Sequence, residues 1–293
     1  MAASYPPDLP AWRAAARIAA EARELGLRLA VPGAARRELA DRIEAYIRDH
    51  GAEPAFPANL SRNVEAAHYT PSPDDAEVLA AGDLLKVDVG AHIGGAIADT
   101  AFTVEVGGTR HHANLIRAAK EGLEAGIREV RPGVSVDAIG RAIEGAIHAR
   151  GLKPVRDLTG HSIEPYLLHA GQSIPNVGGM SHERLREGQV IAIEPFATNG
   201  LGSIGNGPFG NIVRFRADPG ASDPVVGRLF GRFRTLPFAL RWVDGAERAH
   251  LTRRRRLLQV YPVFVERGAG LVAQAEHTVL VAADGPEVLT ALA

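Results

Sequence analysis

The chain of 293 residues contains no cysteine, and its charges almost cancel. Without cysteine the protein can form no disulfide, no thiolate nucleophile and no Cys-type zinc site, and its composition suits a reducing compartment. Its 33 Lys and Arg against 34 Asp and Glu leave a net charge of −1, so the overall charge does not indicate a nucleic acid or a membrane as partner. No apolar run approaches the roughly 20 residues that cross a bilayer.

The N-terminal segment is rich in Ala and Arg, as targeting peptides often are. However, Arg13 and Arg17 interrupt any secretory apolar stretch, and Glu21 and Glu24 are unusual in an organellar presequence. We therefore expect an ordinary amphipathic helix over residues 10–25 and a cytoplasmic protein.

The apolar content predicts a substantial core: 46% of the residues are hydrophobic, enough for one large domain or two small ones. Apolar residues spaced by four predict a second helix that Gly51 closes. Two further helices are predicted over residues 112–130 and 135–149, separated by Pro132 and Gly133. β-rich runs precede and follow this helical pair, which indicates an α/β protein with two β-rich halves.

The composition changes at about residues 199–258. This segment opens with many glycines (NGLGSIGNGPFGN) and then becomes basic and helical through VVGRLFGRFRTLPFALRWV and GAERAHLTRRRRLLQ. β-type runs with acidic ligand candidates flank the segment. Within it the one metal-ligand candidate is His250, which we interpret as a helix-surface residue. We therefore interpret the segment as an insertion into the second β-rich half.

Two aspartates lie in a predicted β-hairpin. Asp88 and Asp99 belong to the run KVDVGAHIGGAIADTAFTVEV, in which Gly94 and Gly95 indicate a two-residue turn. Such a turn places Asp99 opposite Gly90, two positions from Asp88 along the same strand, and side chains two positions apart share one face. A turn shifted by one residue would place the aspartates directly opposite each other, again on one face.

Two carboxylates this close repel each other, so they need a cation, a shared proton or an Arg or Lys partner. A metal ion is the partner we favour. The alternative is that Asp88 is a strand-end residue and Asp99 a hydrogen-bonding residue without any metal.

Three more ligand candidates lie in ordered-looking runs: His161 in DLTGHSI, Glu194 in GQVIAIEPFAT and Glu276 in GLVAQAEHTVLVA. One imidazole with four carboxylates is unlike a structural zinc site. Such a set is typical of a dinuclear hydrolytic centre, in which two ions share a water and lower its pKa.

Several segments together resemble type II methionine aminopeptidases in the short form typical of archaea. The resemblance covers nearly the whole chain, and it is carried by AFPANLSRNVEAAHYTP, LLKVDVGAHIGGAIADTAFTV, LTGHSIEPYLLHAGQSIPN, VIAIEPFAT, TLPFALRW and VAQAEHTVLV. It implies a single catalytic domain over residues 1–293 with the pita-bread fold: two pseudo-symmetric α/β halves whose curved antiparallel sheets are flanked by helices. Residues 199–258 would be the helical insertion of the type II enzymes.

The resemblance also implies an activity, namely removal of the N-terminal methionine of nascent proteins when the second residue is small. The cofactor would be two divalent metal ions per chain, with Co, Mn, Fe or Zn as candidates. Asp88 would bind one ion, Asp99 and Glu276 would bridge the two, and His161 and Glu194 would complete the ligand set of the second ion. Glu194 would also transfer a proton from the bridging water.

By the same resemblance, two histidines contact substrate rather than metal. His169 would lie near the scissile carbonyl oxygen and His68 near the amide nitrogen. Phe56, Leu168 and Tyr261 match positions that line the methionine pocket. Each of these five residues could instead be an ordinary core or loop residue.

Two other readings stay open: an Xaa-Pro peptidase of the prolidase or aminopeptidase P kind, and a non-catalytic ribosome- or RNA-binding relative. Arg253–Arg256 form the sharpest charge cluster, which we interpret as a solvated helix face while leaving open a transient ribosome contact. The expected partners are peptides with N-terminal Met, with no membrane and no specific nucleic acid, and the expected state is a monomer.

Overall fold

The computed structural model describes residue 6 and residues 8–208, 210–220 and 222–292. The described helices are α1 (Leu9–Leu29), α2 (Arg36–Asp49), α3 (Ala113–Glu129), α4 (Val136–Ala149), α5 (Pro224–Phe233) and α6 (Gly245–Arg253). The described strands are β1 (Glu53–Arg62), β2 (Glu65–Ala67), β3 (Leu84–Ile93), β4 (Ala96–Glu105), β5 (Lys153–Pro154), β6 (Thr159–Ile163), β7 (Ser173–Pro175), β8 (Val190–Ile193), β9 (Phe196–Thr198), β10 (Ile204–Asn206), β11 (Ile212–Phe215), β12 (Phe238–Ala239), β13 (Leu258–Tyr261), β14 (Phe264–Glu266), β15 (Val272–Ala282) and β16 (Gly285–Val288). None of the described helices combines the length and hydropathy that a bilayer span demands.

Helix α1 begins where Asp8 caps it. The Asp8 side chain accepts a hydrogen bond from the Ala11 N–H. Pro10 lies in the first turn, where a backbone N–H would have no acceptor within the helix. The helix therefore starts close to the predicted residue 10 but continues past 25 to Leu29. The predicted helices α3 and α4 are confirmed within one or two residues at their ends. The predicted second helix is α2, which ends at Asp49, two residues before Gly51.

One ten-stranded antiparallel sheet joins both halves of the chain. Its main path runs β1-β3-β4-β15-β8-β6-β7, and β5, β9 and β16 attach beside it. Helices α1 and α2 pack with the strands of the first half around one apolar core, and α3 and α4 pack with the second half around another. Strand β15, which comes late in the chain, lies between β4 and β8 and so connects the two halves.

The two halves repeat the same local structure. In each, the loop between paired helices contains a Pro-Gly step whose glycine has a positive φ, 86° at Gly33 and 82° at Gly133. The Gly33 N–H donates to the Leu79 carbonyl, and the Gly133 N–H donates to the Leu185 carbonyl. This correspondence agrees with the expected pseudo-symmetric halves.

A smaller unit lies between β9 and β14. Strands β12, β11 and β13 form a three-stranded sheet that packs with α5 and α6 around its own apolar core. Phe233 and Phe238 lie in this core with their rings stacked at 4.3 Å. The predicted helices are present, but the small sheet was not predicted, because its strands are short and follow a glycine-rich run.

Buried polar contacts attach this unit to the rest of the molecule. The side chains of Glu44 and Arg241 form an ion pair and are each only 2% exposed, and the Trp242 Nε1–H donates to Glu44 Oε2 at 2.7 Å. The same glutamate accepts from the Ala58 N–H. Removing one partner of such a buried pair typically costs about 3–5 kcal/mol, because the other charge is left unpaired. These contacts link the unit to α2 and β1.

Candidate metal centre and substrate pocket

The hairpin of β3 and β4 has the register that the glycine pair predicts. Gly90 pairs with Asp99, and Gly94 and Gly95 have φ values of 59° and 95°, the two positive angles of a type I′ turn. Asp88 and Asp99 therefore point to the same face of the sheet.

The neighbouring strand adds a third carboxylate to this face. Ala101 of β4 pairs with Asp88 on one side and with Glu276 of β15 on the other. Residues directly opposite in adjacent strands point to the same side. Asp99 lies two positions from Ala101 on β4 and so points to the same side as Ala101. One sheet face therefore carries Asp88, Asp99 and Glu276, each from a different strand.

The second half adds the last two candidates by the same rule. Ala192 of β8 pairs with Thr278 of β15 and with His161 of β6. Thr278 lies two positions from Glu276, and Glu194 lies two positions from Ala192, so all of these side chains point to the same face. The sheet therefore gathers the five candidates although they span 189 positions of the chain (276 − 88 + 1).

Distances between the side chains are short. His161 Nε2 lies 3.7 Å from Asp99 Oδ2 and 3.4 Å from Glu194 Oε1. One ligand atom from each of Asp99, His161 and Glu276 lies within 4.8 Å of the others. This spacing suits a cation bound between them.

The carboxylates also have unused acceptor atoms. Asp88 Oδ1, Asp99 Oδ1 and Glu276 Oε1 are buried and have no hydrogen-bond partner among the described residues. Buried charged oxygens without partners are costly. An oxygen-rich set with one imidazole fits divalent ions such as Mn, Fe, Co or Zn.

Without a bound cation, burial disfavours the charged forms of the carboxyl groups in this cluster. It raises the pKa of Asp88 to about 7, and burial followed by the neighbouring carboxylates raises the pKa values of Asp99, Glu194 and Glu276 well above their ordinary values. Burial also lowers the pKa of His161 well below its usual value. The carboxyl groups would therefore hold protons until divalent cations displace them.

Hydrogen bonds position two of the ligands. Thr278 Oγ1 accepts from the Asp99 N–H and donates to the Asp99 carbonyl, both at 2.8 Å. Gln274 Nε2 donates to Glu276 Oε2 at 3.3 Å. Such contacts outside the ligand set orient metal ligands. Neither Thr278 nor Gln274 was predicted, since a polar residue in a strand becomes informative only when its partner is known.

A single pocket contains every residue that the sequence suggested for the site. Its cavity volume is about 50 Å³, and it is partly open to solvent. Its lining consists of Phe56, Asn59, His68, Asp88, Asp99, His161, Leu168, His169, Glu194, Ile212, Pro237, Tyr261 and Glu276. Asn59, Ile212 and Pro237 were not predicted, and Ile212, Pro237 and Tyr261 come from the smaller unit described above.

The two additional histidines lie beside the ligands. The ring of His169 is 4.3 Å from that of His161, and His68 lies 5.4 Å from Tyr261 in an edge-to-face arrangement. His68 has a φ of 67°, a strained value that often marks a functional position. Burial lowers the pKa values of His68 and His169 to about 4. Both rings are thus neutral at neutral pH and offer one donor and one acceptor nitrogen each.

The apolar side of the pocket depends on a close contact in the hairpin. A Cβ atom at Gly90 would lie 2.2 Å from the ring of Phe56. Glycine at this position therefore allows the aromatic ring to lie against β3, next to the two aspartates. Phe56, Leu168 and Tyr261 are each less than 10% exposed, so this side of the pocket is aromatic and aliphatic.

Comparison with known proteins identifies relatives over nearly the full length. Residues 11–283 match Metallopeptidase family M24. The methionine aminopeptidase of Pyrococcus horikoshii is 44% identical over 289 residues, which cover 94% of this chain and 97% of that protein.

Solved structures share the fold. The methionine aminopeptidase of Thermotoga maritima has a TM-score of 0.74 at 23% identity, covering 99% of this chain and 98% of that one. A thermophilic Arx1 has a TM-score of 0.85 at 17% identity, covering 98% and 91%. The expected pita-bread fold is confirmed, and the chain belongs to metallopeptidase family M24.

Proposed function

We propose that the protein removes the N-terminal methionine from proteins whose second residue is small. The observation that carries this proposal is a set of four carboxylates and one histidine on one sheet face, next to an aromatic pocket. Three of the carboxylates are buried, and the fourth, Glu194, is 14% exposed. Full-length relatives at 44% identity that are named methionine aminopeptidases support it.

The cofactor in this proposal is a pair of divalent ions. Asp88 would hold one ion, His161 and Glu194 would hold the other, and Asp99 and Glu276 would contribute to both. When bound, such ions lower the pKa of a water molecule and polarise the scissile carbonyl. The unpartnered oxygens of Asp88, Asp99 and Glu276 support this assignment.

The remaining steps belong to residues of the chain. Glu194 accepts the proton of the attacking water and passes it to the leaving amine. His169 donates a hydrogen bond to the carbonyl oxygen as negative charge develops there, and His68 contacts the amide nitrogen. A neutral imidazole, in keeping with the lowered pKa values of these histidines, can fill either role because it has one donor and one acceptor nitrogen.

The apolar residues account for the choice of methionine. Phe56, Leu168 and Tyr261 offer a buried surface for an unbranched thioether, whose sulfur interacts favourably with aromatic rings. A side chain at the second position would lie beside the crowded ligand set, so a small residue is favoured there.

Peptide hydrolysis after reconstitution with Mn, Co, Fe or Zn tests the function. We expect release of Met from Met-Ala-Ser, little cleavage of Xaa-Pro peptides, and a loss of about 10²–10⁴-fold in kcat for Glu194→Gln. Glu124→Gln, an exposed change on α3, is the control and should keep full activity. A strong preference for Xaa-Pro peptides would show a proline-specific peptidase instead. Absence of both metal and turnover would favour the non-catalytic binding relative.

We further propose that residues 1–293 act as one catalytic domain, with residues 199–258 as its insertion, in a monomeric cytoplasmic enzyme. Arg253, Arg255 and Arg256 are exposed, while Arg254 pairs with Asp223 at 2.6 Å. The three exposed arginines are the surface available for a transient ribosome contact. Sedimentation with ribosomes at low and high salt, with and without their replacement by Gln, tests that contact.

A further inference from the structure

A second cavity adjoins the pocket that contains the metal-ligand candidates. The two share the walls Leu168, His169, Pro237 and Tyr261. The second cavity is narrow, with a volume of about 10 Å³, and is lined in addition by Leu167, Arg214 and Thr235. The space next to the catalytic histidine candidates therefore continues toward an arginine.

Strand register places this arginine at a defined distance from the first pocket. On β11, Ile212 pairs with Tyr261 and Arg214 pairs with Gln259. Ile212 and Arg214 share one face of the strand and lie about 7 Å apart along it, whereas Val213 and Phe215 point into the core of the smaller unit. A peptide advances by about 3.5 Å per extended residue. For a peptide that extends along β11 from the first pocket, Arg214 therefore lies about two residues farther along.

Arg214 has neutral neighbours. Its Nε donates to Gln259 Oε1 at 3.1 Å, and its guanidinium group interacts with the Tyr261 hydroxyl. No ion pair within the described ranges includes Arg214. The group is half-buried, and a guanidinium has five N–H donors. Donors therefore remain available for an anionic ligand.

The charge of the neighbouring site does not oppose such a ligand. In the proposed enzyme two divalent ions balance the four carboxylates of the ligand set. His169 lines both cavities and so lies between that set and Arg214. The positive charge of Arg214 is then the uncompensated charge at this end of the pocket, and a half-buried guanidinium binds carboxylates strongly and with two parallel hydrogen bonds.

We propose that Arg214 is a specificity-determining residue that binds a carboxylate of the substrate, on an Asp or Glu side chain at the third or fourth position of the peptide. This subsite rests on the proposed aminopeptidase function, since it assigns a preference to peptides bound at the same centre.

A comparison of kcat/KM between peptide substrates tests the subsite. Met-Ala-Ser-Gly amide is compared with peptides that carry Asp or Lys at the third or fourth position, all amidated so that the side chain supplies the carboxylate. For the metal-loaded wild type we expect kcat/KM to be about 3- to 10-fold higher with Asp than with the neutral residue. The ratio should fall to about one in Arg214→Gln and invert in favour of Lys in Arg214→Glu. Because each ratio compares two substrates with one enzyme sample, partial misfolding of a variant does not change it.

Arg117→Gln is the matched control, because Arg117 is exposed on α3 and its loss changes the net charge equally. The subsite would be overturned if the ratio of kcat/KM between the Asp peptide and the neutral peptide stayed unchanged in Arg214→Gln, or fell equally in Arg117→Gln. Either result would leave the aminopeptidase function intact. Failure of the metal-loaded wild type to cleave any of the Met peptides would overturn both proposals.

Discussion

At the scale of single residues, the site depends on a position without a side chain. Gly90 pairs with Asp99, and its missing Cβ makes room for the ring of Phe56. The same residue thus allows an aromatic wall and a carboxylate to lie side by side. Backbone strain is not the reason for glycine here, because Gly90 has no positive φ.

We predict that Gly90→Ala weakens methionine binding and lowers stability. The new methyl group would push the Phe56 ring out of its position, and overpacking of this kind costs about 1–3 kcal/mol. Steady-state kinetics with Met-Ala-Ser should show a raised KM, and thermal unfolding a lowered Tm. Gly145→Ala on α4 is the control: a Cβ there meets no atom within 4 Å, so the helix should gain about 0.5–1 kcal/mol. Equal effects of the two changes would contradict the role of Gly90.

At the scale of secondary structure elements, β15 connects the site to the opposite side of the sheet. It presents Glu276 to the metal-ligand face, and its next residue, His277, points to the opposite face. There the His277 ring lies 5.3 Å from Phe102, and its Nδ1 lies 2.8 Å from Thr290 Oγ1. Burial, followed by the positive charge of Arg23, lowers the pKa of His277 to about 3.

This shift predicts a loss of stability in acid. The pKa of an unfolded histidine is about 6.5, so the unfolded chain binds more protons than the folded protein between pH 6.5 and 3. The contribution of His277 to the free energy of unfolding is present above pH 6.5 and is lost as the pH falls toward 3. From pH 7 to 5 we expect the wild type to lose about 1–2 kcal/mol relative to His277→Gln, measured by denaturant unfolding with chelator in both samples. The exposed His182, changed to Gln, is the control, and parallel pH profiles for wild type and His277→Gln would contradict this prediction.

At the scale of the whole molecule, the ligand set connects the two halves. Asp88 and Asp99 come from the first half, whereas His161, Glu194 and Glu276 come from the second. A bound cation would therefore stabilise the sheet where β4 meets β15. Binding to the folded state alone contributes about 2.7 kcal/mol at a ligand concentration of 100 times Kd.

We accordingly predict that chelation lowers the Tm by several degrees and that Mn or Co restores it. Asp88→Asn should reduce the metal-dependent rise, and elemental analysis should show less bound metal. Differential scanning calorimetry of metal-loaded and chelated protein measures the effect. Identical Tm values in both states would mean that metal binding is not coupled to folding.

Local sequence patterns predict some parts of this fold well. The apolar spacing and the Pro-Gly breaks locate the helix pair α3 and α4 almost to the residue. Other parts need the tertiary structure: β11–β13 have no visible periodicity, and Arg214 is one arginine among several in a basic segment. Its meaning depends on the pairing of β11 with β13, which joins residues more than 40 positions apart.

The sequence by itself determined that Asp88 and Asp99 share a face, because a two-residue glycine turn sets the register of adjacent strands and side chains alternate with period two. Only the tertiary structure decided that His161, Glu194 and Glu276 join them. Their placement depends on the register of β4 with β15, β15 with β8 and β8 with β6. Except for β6 with β8, these pairs are far apart in the chain, and packing of the two halves determines their register, which no local pattern encodes.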